Sequence, residues 1–209
     1  MSKLLYIEAS PRKERSASIT VASKFLDAFS SSHPNDKTIK IDLWKKQLPS
    51  FDQDTIEAKY ALMSGKAFTE SQKKAWALVE GLIEEFKSAD AYLFSLPMWN
   101  FSIPYILKHY IDLLVQPGYT FKFSPQEGFK GLVTGKKTVL IYARGGAYGS
   151  GTGAEAFDLQ VKYMETILRF IGITDITNIL VEPTATGAAA KDLAISKASD
   201  LAVKVANAL

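Results

Sequence analysis

Short apolar runs alternate along the chain with stretches of helical periodicity. Leu4 to Glu8 is apolar up to its last residue and runs into Ala9-Ser10-Pro11, the pattern of a buried strand entering a turn. From Ser18 to about Ser31, Ile19, Ala22, Phe25, Leu26 and Phe29 recur at spacings of three and four, which predicts a helix with one apolar face. Ser32-His33-Pro34-Asn35 breaks it, and Thr38 to Leu43 alternates as a second strand. A polar region with Pro49 follows, then helical patterns near 53–65 and 70–88. Ala91 to Leu96 is a third buried strand, closed by Pro97. Ile103 to Val115 reads as a helix with Pro104 in its first turn, where a missing N–H costs nothing. Residues 117–135 are glycine-rich around Tyr119-Thr120-Phe121-Lys122-Phe123 and predict a small hairpin. Lys137 to Ala143 is a fourth strand bounded by Gly145-Gly146, and Glu155 to Ile171 a helix stopped by Gly172. Thr174 to Val181 is a fifth strand, and Ala188 to Leu209 a closing helix.

Strand–helix alternation of this kind predicts an α/β fold, a parallel sheet with helices on both faces. Domains hold roughly 100–200 residues, so 209 residues form a single domain, 1–209, with an excursion near 117–135. By analogy with open α/β sheets of five strands, the strand order is 2-1-3-4-5. Composition adds exclusions. Hydrophobic residues make up 47% and charged residues 22%, which is globular. The net charge of +3 gives no reason to expect nucleic acid or an anionic membrane as partner. The absence of cysteine excludes disulfides, thiolate catalysis and Cys-ligated clusters, and two histidines make a multi-histidine metal site improbable. The apolar run at Leu4 ends too soon for a signal peptide, and no stretch is long enough to span a membrane, so the chain reads as cytoplasmic.

In open parallel sheets ligands bind beyond the carboxyl ends of the strands, at the switch point. Three of those ends carry candidate chemistry here, and the other two look ordinary. Strand one ends in Ser10-Pro11-Arg12-Lys13-Glu14-Arg15-Ser16-Ala17-Ser18 before a helix, where hydroxyls and free N–H groups suit a phosphate. Alternatively, Ser18 simply caps the helix and Ser16 is solvated. This loop has neither the glycine fingerprint of a dinucleotide fold nor that of a P-loop. Strand three ends in Pro97-Met98-Trp99-Asn100-Phe101, apolar walls with one amide, suited to a flat heteroaromatic ring or else to covering the sheet end. Strand four ends in Ala143-Arg144-Gly145-Gly146. Bare N–H groups beside a cationic Arg144 there suit a ring that gains negative charge, unless the glycines serve only the turns. Together the three loops describe a site for a phosphorylated planar ring, with flavin mononucleotide (FMN) the leading candidate.

These loops, with Leu107-Lys108-His109-Tyr110-Ile111-Asp112-Leu113, Gly131-Leu132-Val133-Thr134-Gly135-Lys136 and Phe170-Ile171-Gly172-Ile173-Thr174-Asp175, resemble the FMN-dependent NADH-azoreductases. That family, also described as NADH:quinone oxidoreductases, is flavodoxin-like. The resemblance implies a three-layer sandwich and an FMN held at a homodimer interface. It implies that Ser10, Ser16, Ala17 and Ser18 bind the phosphate and ribityl end, and that Pro97, Met98, Trp99, Asn100 and Phe101 flank the ring. Ala143, Arg144, Gly145 and Gly146 would contact its other side. The implied activity is ping-pong: a hydride passes from NADH to flavin N5, and quinones or aromatic azo compounds are then reduced. The flavin carries the chemistry, so no side chain is nominated as a catalytic acid or base and no metal is expected. Trp99 stands where many relatives have Tyr, and Ala143 lacks the hydroxyl many carry there.

Trp99, Phe121 and Phe123 are candidates for a substrate pocket, the last two only if the hairpin aromatics cap the flavin rather than bury one another. His109 is read as a solvated or interface residue, and Trp44 and Trp76 as core or interface. The competing reading is a flavodoxin-type electron carrier with no small-molecule substrate of its own. The modest +3 charge argues against it, since carriers steer to partners by strong charge asymmetry.

Overall fold

In the computed structural model, which describes residues 2–209, the run Leu4–Ile7 lies within a strand, β1 (Lys3–Glu8), buried on both faces. Alternation along it feeds two apolar clusters. Leu5 and Ile7 point into one, and Leu4 and Tyr6 into the other. The helix α1 (Ala17–Ser32) returns the chain to β2 (Lys37–Asp42), which pairs with β1 in parallel. Two helices, α2 (Gln53–Met63) and α3 (Glu70–Lys87), precede β3 (Ala91–Pro97). Thr69 opens α3 with a capping box: its hydroxyl takes the Gln72 N–H while the Gln72 side chain takes the Thr69 N–H. Then come α4 (Tyr105–Leu114), the antiparallel pair β4 (Phe121–Ser124) and β5 (Gly128–Gly131), and β6 (Lys137–Ala143). The chain closes with α5 (Leu159–Phe170), β7 (Asp175–Val181) and α6 (Ala188–Asn207).

The main sheet is parallel with order β2-β1-β3-β6-β7, the expected topology once the hairpin is counted separately. Helices α3, α4 and α5 contribute to one cluster, and α1 and α6 to the other. Helix α6 presents Ala194, Ala198, Ala202 and Ala206 inward, one residue per turn, so small side chains let it lie close against α1. The register sets Glu8 opposite Asp42 and Ser95, Pro97 opposite Ala143, and Ala143 opposite Val181. All the carboxyl ends thereby open on one edge of the sheet. No helix among the described residues is long and apolar enough to cross a membrane.

Three local expectations are corrected. Pro104 is the N-cap of α4, not part of its first turn. The helix expected from Glu155 is split: Glu155–Phe157 is a 3-10 turn, and α5 starts afresh because the Asp158 side chain accepts the Val161 N–H at 3.0 Å. Ser16, not Ser18, caps α1, and both serines are buried rather than solvated.

The hairpin is rooted at the opposite end of the sheet from the carboxyl edge. Val133 N–H donates to the Ile171 carbonyl at 2.8 Å, just before β7 begins. A Cβ on Gly131 would lie 2.2 Å from the Gly172 nitrogen, so only glycine permits this approach.

Candidate functional site

Between β1 and α1 the chain makes one 3-10 turn, Lys13–Arg15, that delivers Ser16 to the helix start. The Ser16 N–H donates to the Lys13 carbonyl at 2.9 Å, and the Ser16 and Ser18 hydroxyls share a hydrogen bond at 3.1 Å. Ser10 is buried beside them, and its hydroxyl takes only a long 3.4 Å bond from the Arg12 N–H. The Ala17 and Ser18 N–H groups donate to nothing among the described residues. Free donors at a helix N-terminus favour an anion. Arg12, Arg15 and Lys191 stand at the same opening with no salt-bridge partner among the described residues.

After β3 the backbone folds into a two-residue turn. Trp99 and Ser102 exchange both backbone hydrogen bonds, at 3.0 and 2.9 Å, across Asn100 (φ 46°) and Phe101 (φ 68°). Positive φ at a phenylalanine is uncommon and costs of order 1–3 kcal/mol. Stacking holds Phe101 there, with its ring 5.0 Å from Phe157 and 6.1 Å from Tyr148. Trp99 packs 5.9 Å from Trp44 and 6.2 Å from Tyr105, and the Trp44 indole N–H donates to the Ala9 carbonyl at 3.0 Å. A single hydrogen-bonded aromatic group thus links the ends of β1, β2 and β3.

After β6 the Gly145 and Gly146 N–H groups have no acceptor among the described residues, while the Arg144 and Gly145 carbonyls accept from Thr184 and Ala185. The three loops enclose a cleft of about 270 Å³. Ser10, Ser16, Ala17, Pro97, Met98, Trp99, Ala143 and Gly145 line it. An adjoining cavity of about 440 Å³ across Trp99 is lined by Asn100, Tyr105 and Tyr163 among others. Burial, with Asp112 nearby, pushes the Tyr163 hydroxyl up to about 12, so it stays a donor at neutral pH.

The family with a flavodoxin-like fold matches the chain over residues 2–205. The FMN-dependent NADH:quinone oxidoreductase of Desulfotalea psychrophila is 47% identical over 209 residues, covering 100% of this chain and 98% of that protein. The chain belongs to the flavodoxin-like family of FMN-dependent NADH:quinone oxidoreductases. A crystal structure of azoreductase from Bacillus anthracis superposes with a TM-score of 0.92 at 34% identity, covering 100% of both chains. An FMN-dependent NADH-azoreductase from the same organism, solved in complex with FMN, superposes with a TM-score of 0.87 at 28% identity, covering 99% of this chain and 100% of that one.

The family residues do not all reach the cleft. The Ser18 hydroxyl is turned to Ser16, Asn100 lines the adjoining cavity across Trp99, and the Phe101 ring packs on Phe157 and Tyr148 instead. Gly146 stands at the margin against Tyr148. Arg144 is a correction. Its side chain is fully buried, with Nη2 2.9 Å from Asp158, Nη1 3.2 Å from Glu182 and Nε donating to Gln160 at 3.2 Å. A guanidinium taken out of water needs such partners, so its charge is spent inside the protein. Asp158 takes that contact off the hydrogen-bond direction, as a charge pair. Within one chain, Phe121 and Phe123 also miss the cleft. Phe121 packs 4.7 Å from Phe170, and Phe123 5.0 Å from Phe129, at the hairpin's own end of the fold.

Conversely, the two strand ends read as ordinary contribute. Trp44 follows β2 and supports Trp99, and Thr184 and Ala185 follow β7 and line the cleft. Extending the carboxyl-end rule to all five strands would have found both. His109 donates to or accepts nothing at the cleft; its Nε2 lies 3.0 Å from the Pro49 carbonyl.

Proposed function

We propose that this chain is an FMN-dependent oxidoreductase taking reducing equivalents from NADH and passing them to quinones and aromatic azo compounds. What carries the reading is the cleft itself: unspent helix N-terminal donors and three unpaired cations at one end, Pro97, Met98 and Trp99 beside it, and free Gly145 and Gly146 N–H groups opposite. These match a phosphate dianion, a planar ring and its polar edge in turn, so the residues present fit FMN. Bound FMN supplies the hydride-accepting and hydride-donating chemistry. The chain's residues do the rest. The Ser10 and Ser16 hydroxyls and the Ala17 and Ser18 N–H groups at the α1 N-terminus would hold the phosphate. Trp99, buttressed by Trp44 and Tyr105, fixes one wall against the ring and excludes water from it. Gly145 and Gly146 donate backbone N–H bonds to the ring edge, where negative charge develops on reduction.

The two apolar clusters, one fed by each face of the sheet, support a three-layer arrangement. A homodimer in a cytoplasmic setting belongs to the same proposal. The homodimer is supported by exposed aromatics at both ends of the fold, Tyr105 (64%) and Phe157 (52%) beside the carboxyl edge and Phe123 (61%) and Phe129 (64%) on the hairpin. Only through such a second copy would Phe123 approach a flavin.

The test is spectroscopic. Purified protein is loaded with FMN, freed of excess by gel filtration and scanned before and after anaerobic NADH. Flavin bands that co-elute and bleach are expected, followed by recovery of colour on adding a quinone. Retained flavin that NADH leaves oxidised would favour the electron carrier. Protein emerging colourless would defeat the proposal.

A further inference from the structure

Beneath the first loop lies a charge cluster that the proposed function does not use. Glu8, the last residue of β1, is 1% exposed. It accepts from the Lys13 ammonium at 2.8 Å and, at 3.3 Å, from the Tyr6 hydroxyl, and the Lys40 ammonium pairs with it as a charge at 2.6 Å. Its register partner Asp42 takes the same Lys13 ammonium at 2.6 Å. Two carboxylates and two ammonium groups therefore balance. Lys13 itself has φ 48°, a left-handed backbone that a β-carbon disfavours and glycine tolerates. Nothing local rewards a lysine there. The reward is the reach of its side chain back onto Glu8 and Asp42. Burial opposes the Lys13 charge, but the bonds to Asp42 and Glu8 outweigh it and hold its pKa above the ordinary lysine value. In the same residue the backbone carbonyl takes the Ser16 N–H, which sets the N-cap of α1.

We infer that Lys13 is a positioning residue for the phosphate end of the cofactor. Clamped between Glu8 and Asp42, it locks the Ser10–Ser16 loop in the strained turn that leaves the Ala17 and Ser18 N–H groups without an acceptor and the Ser10 hydroxyl with only one long bond, open to the phosphate. The inference rests on the FMN reading above. Its side chain points down into the sheet edge and is not itself a phosphate ligand.

FMN and riboflavin, which differ only in the phosphate, are titrated into apo-protein by flavin fluorescence. Wild type, Lys13→Met, Lys13→Gly and Asp42→Asn are compared, with folding checked by circular dichroism. Lys13→Met is expected to weaken FMN about tenfold or more, the scale of losing charge-assisted hydrogen bonds, and to leave riboflavin within about twofold. Lys13→Gly accepts the same φ without the ammonium, so it also loses FMN affinity. Full affinity in that variant would mean the turn needs no clamp, and the inference falls. Asp42→Asn separates positioning from long-range charge: removing a negative charge tightens FMN if Coulomb attraction governs, whereas loosening the clamp weakens it. Tighter binding, or equal losses for both flavins, overturns the clamp. Wild type blind to FMN overturns the cofactor assignment and the clamp together, whereas wild type that binds FMN as tightly as Lys13→Met overturns the clamp alone.

Discussion

Gly145 shows the difference between what the fold needs and what the site needs. A Cβ there would meet only the Ala185 methyl, at 3.4 Å, an ordinary contact, and its φ is not left-handed. Gly145→Ala therefore keeps or slightly raises thermal stability, by up to about 0.4–1 kcal/mol through a less flexible unfolded chain. The same methyl would stand in the cleft, so FMN affinity is expected to fall about tenfold or more. Unchanged affinity in a titration would show that the ligand does not approach this backbone. The glycine pair was legible in the sequence as a candidate place of close approach, and both its N–H groups lack an acceptor among the described residues. The orientation of Arg144 beside it was not. Whether an arginine faces a ligand or the interior depends on carboxylates remote in sequence, here Asp158 and Glu182.

Elements were read well where burial is one-sided or complete. The strands β1, β3 and β6 are continuous apolar runs, and α1 and α3 carry one apolar stripe, so period alone identifies them. Boundaries were harder, because apolar spacing continues through Glu155–Phe157 although Asp158 starts the true α-helix. Helix α6 illustrates packing that periodicity hints at but does not measure. Ala202 is fully buried at the α1 contact. Ala202→Leu forces the helices apart and is expected to cost about 1–3 kcal/mol, read as a lower urea midpoint. A neutral result would mean that the two helices are not closely packed there.

For the whole molecule, the charge cluster of Tyr6, Glu8, Lys13, Lys40 and Asp42 ties the loop to two strands, and its contribution to stability depends on pH. Burial raises the Asp42 pKa, but bonds from Lys13 and the Trp44 N–H outweigh it and hold the group below the ordinary carboxylate range. A depressed acid stabilises the fold above its unfolded value of about 3.9, and that stability is lost as pH falls through the folded value. Lys13, raised, stabilises below its unfolded value of about 10.4 and loses this as pH rises through the folded value. The melting-temperature difference between apo wild type and Lys13→Met should be steady from about pH 4 to 10 and shrink beyond either limit. A difference that varied across neutral pH would assign the stability to other groups.

By itself, the sequence determined the α/β class and the five parallel strands, and it singled out the loops after β1, β3 and β6 as the candidate site, because apolar period, helix-start hydroxyls and glycines are local signals. Only the tertiary structure decided which residues meet there. Trp44 joins Trp99, Thr184 joins Gly145, Arg144 turns inward, and Phe121 and Phe123 lie at the far end. The reason is that register brings together residues distant in sequence, and a buried charge takes whatever partner the packing leaves within reach.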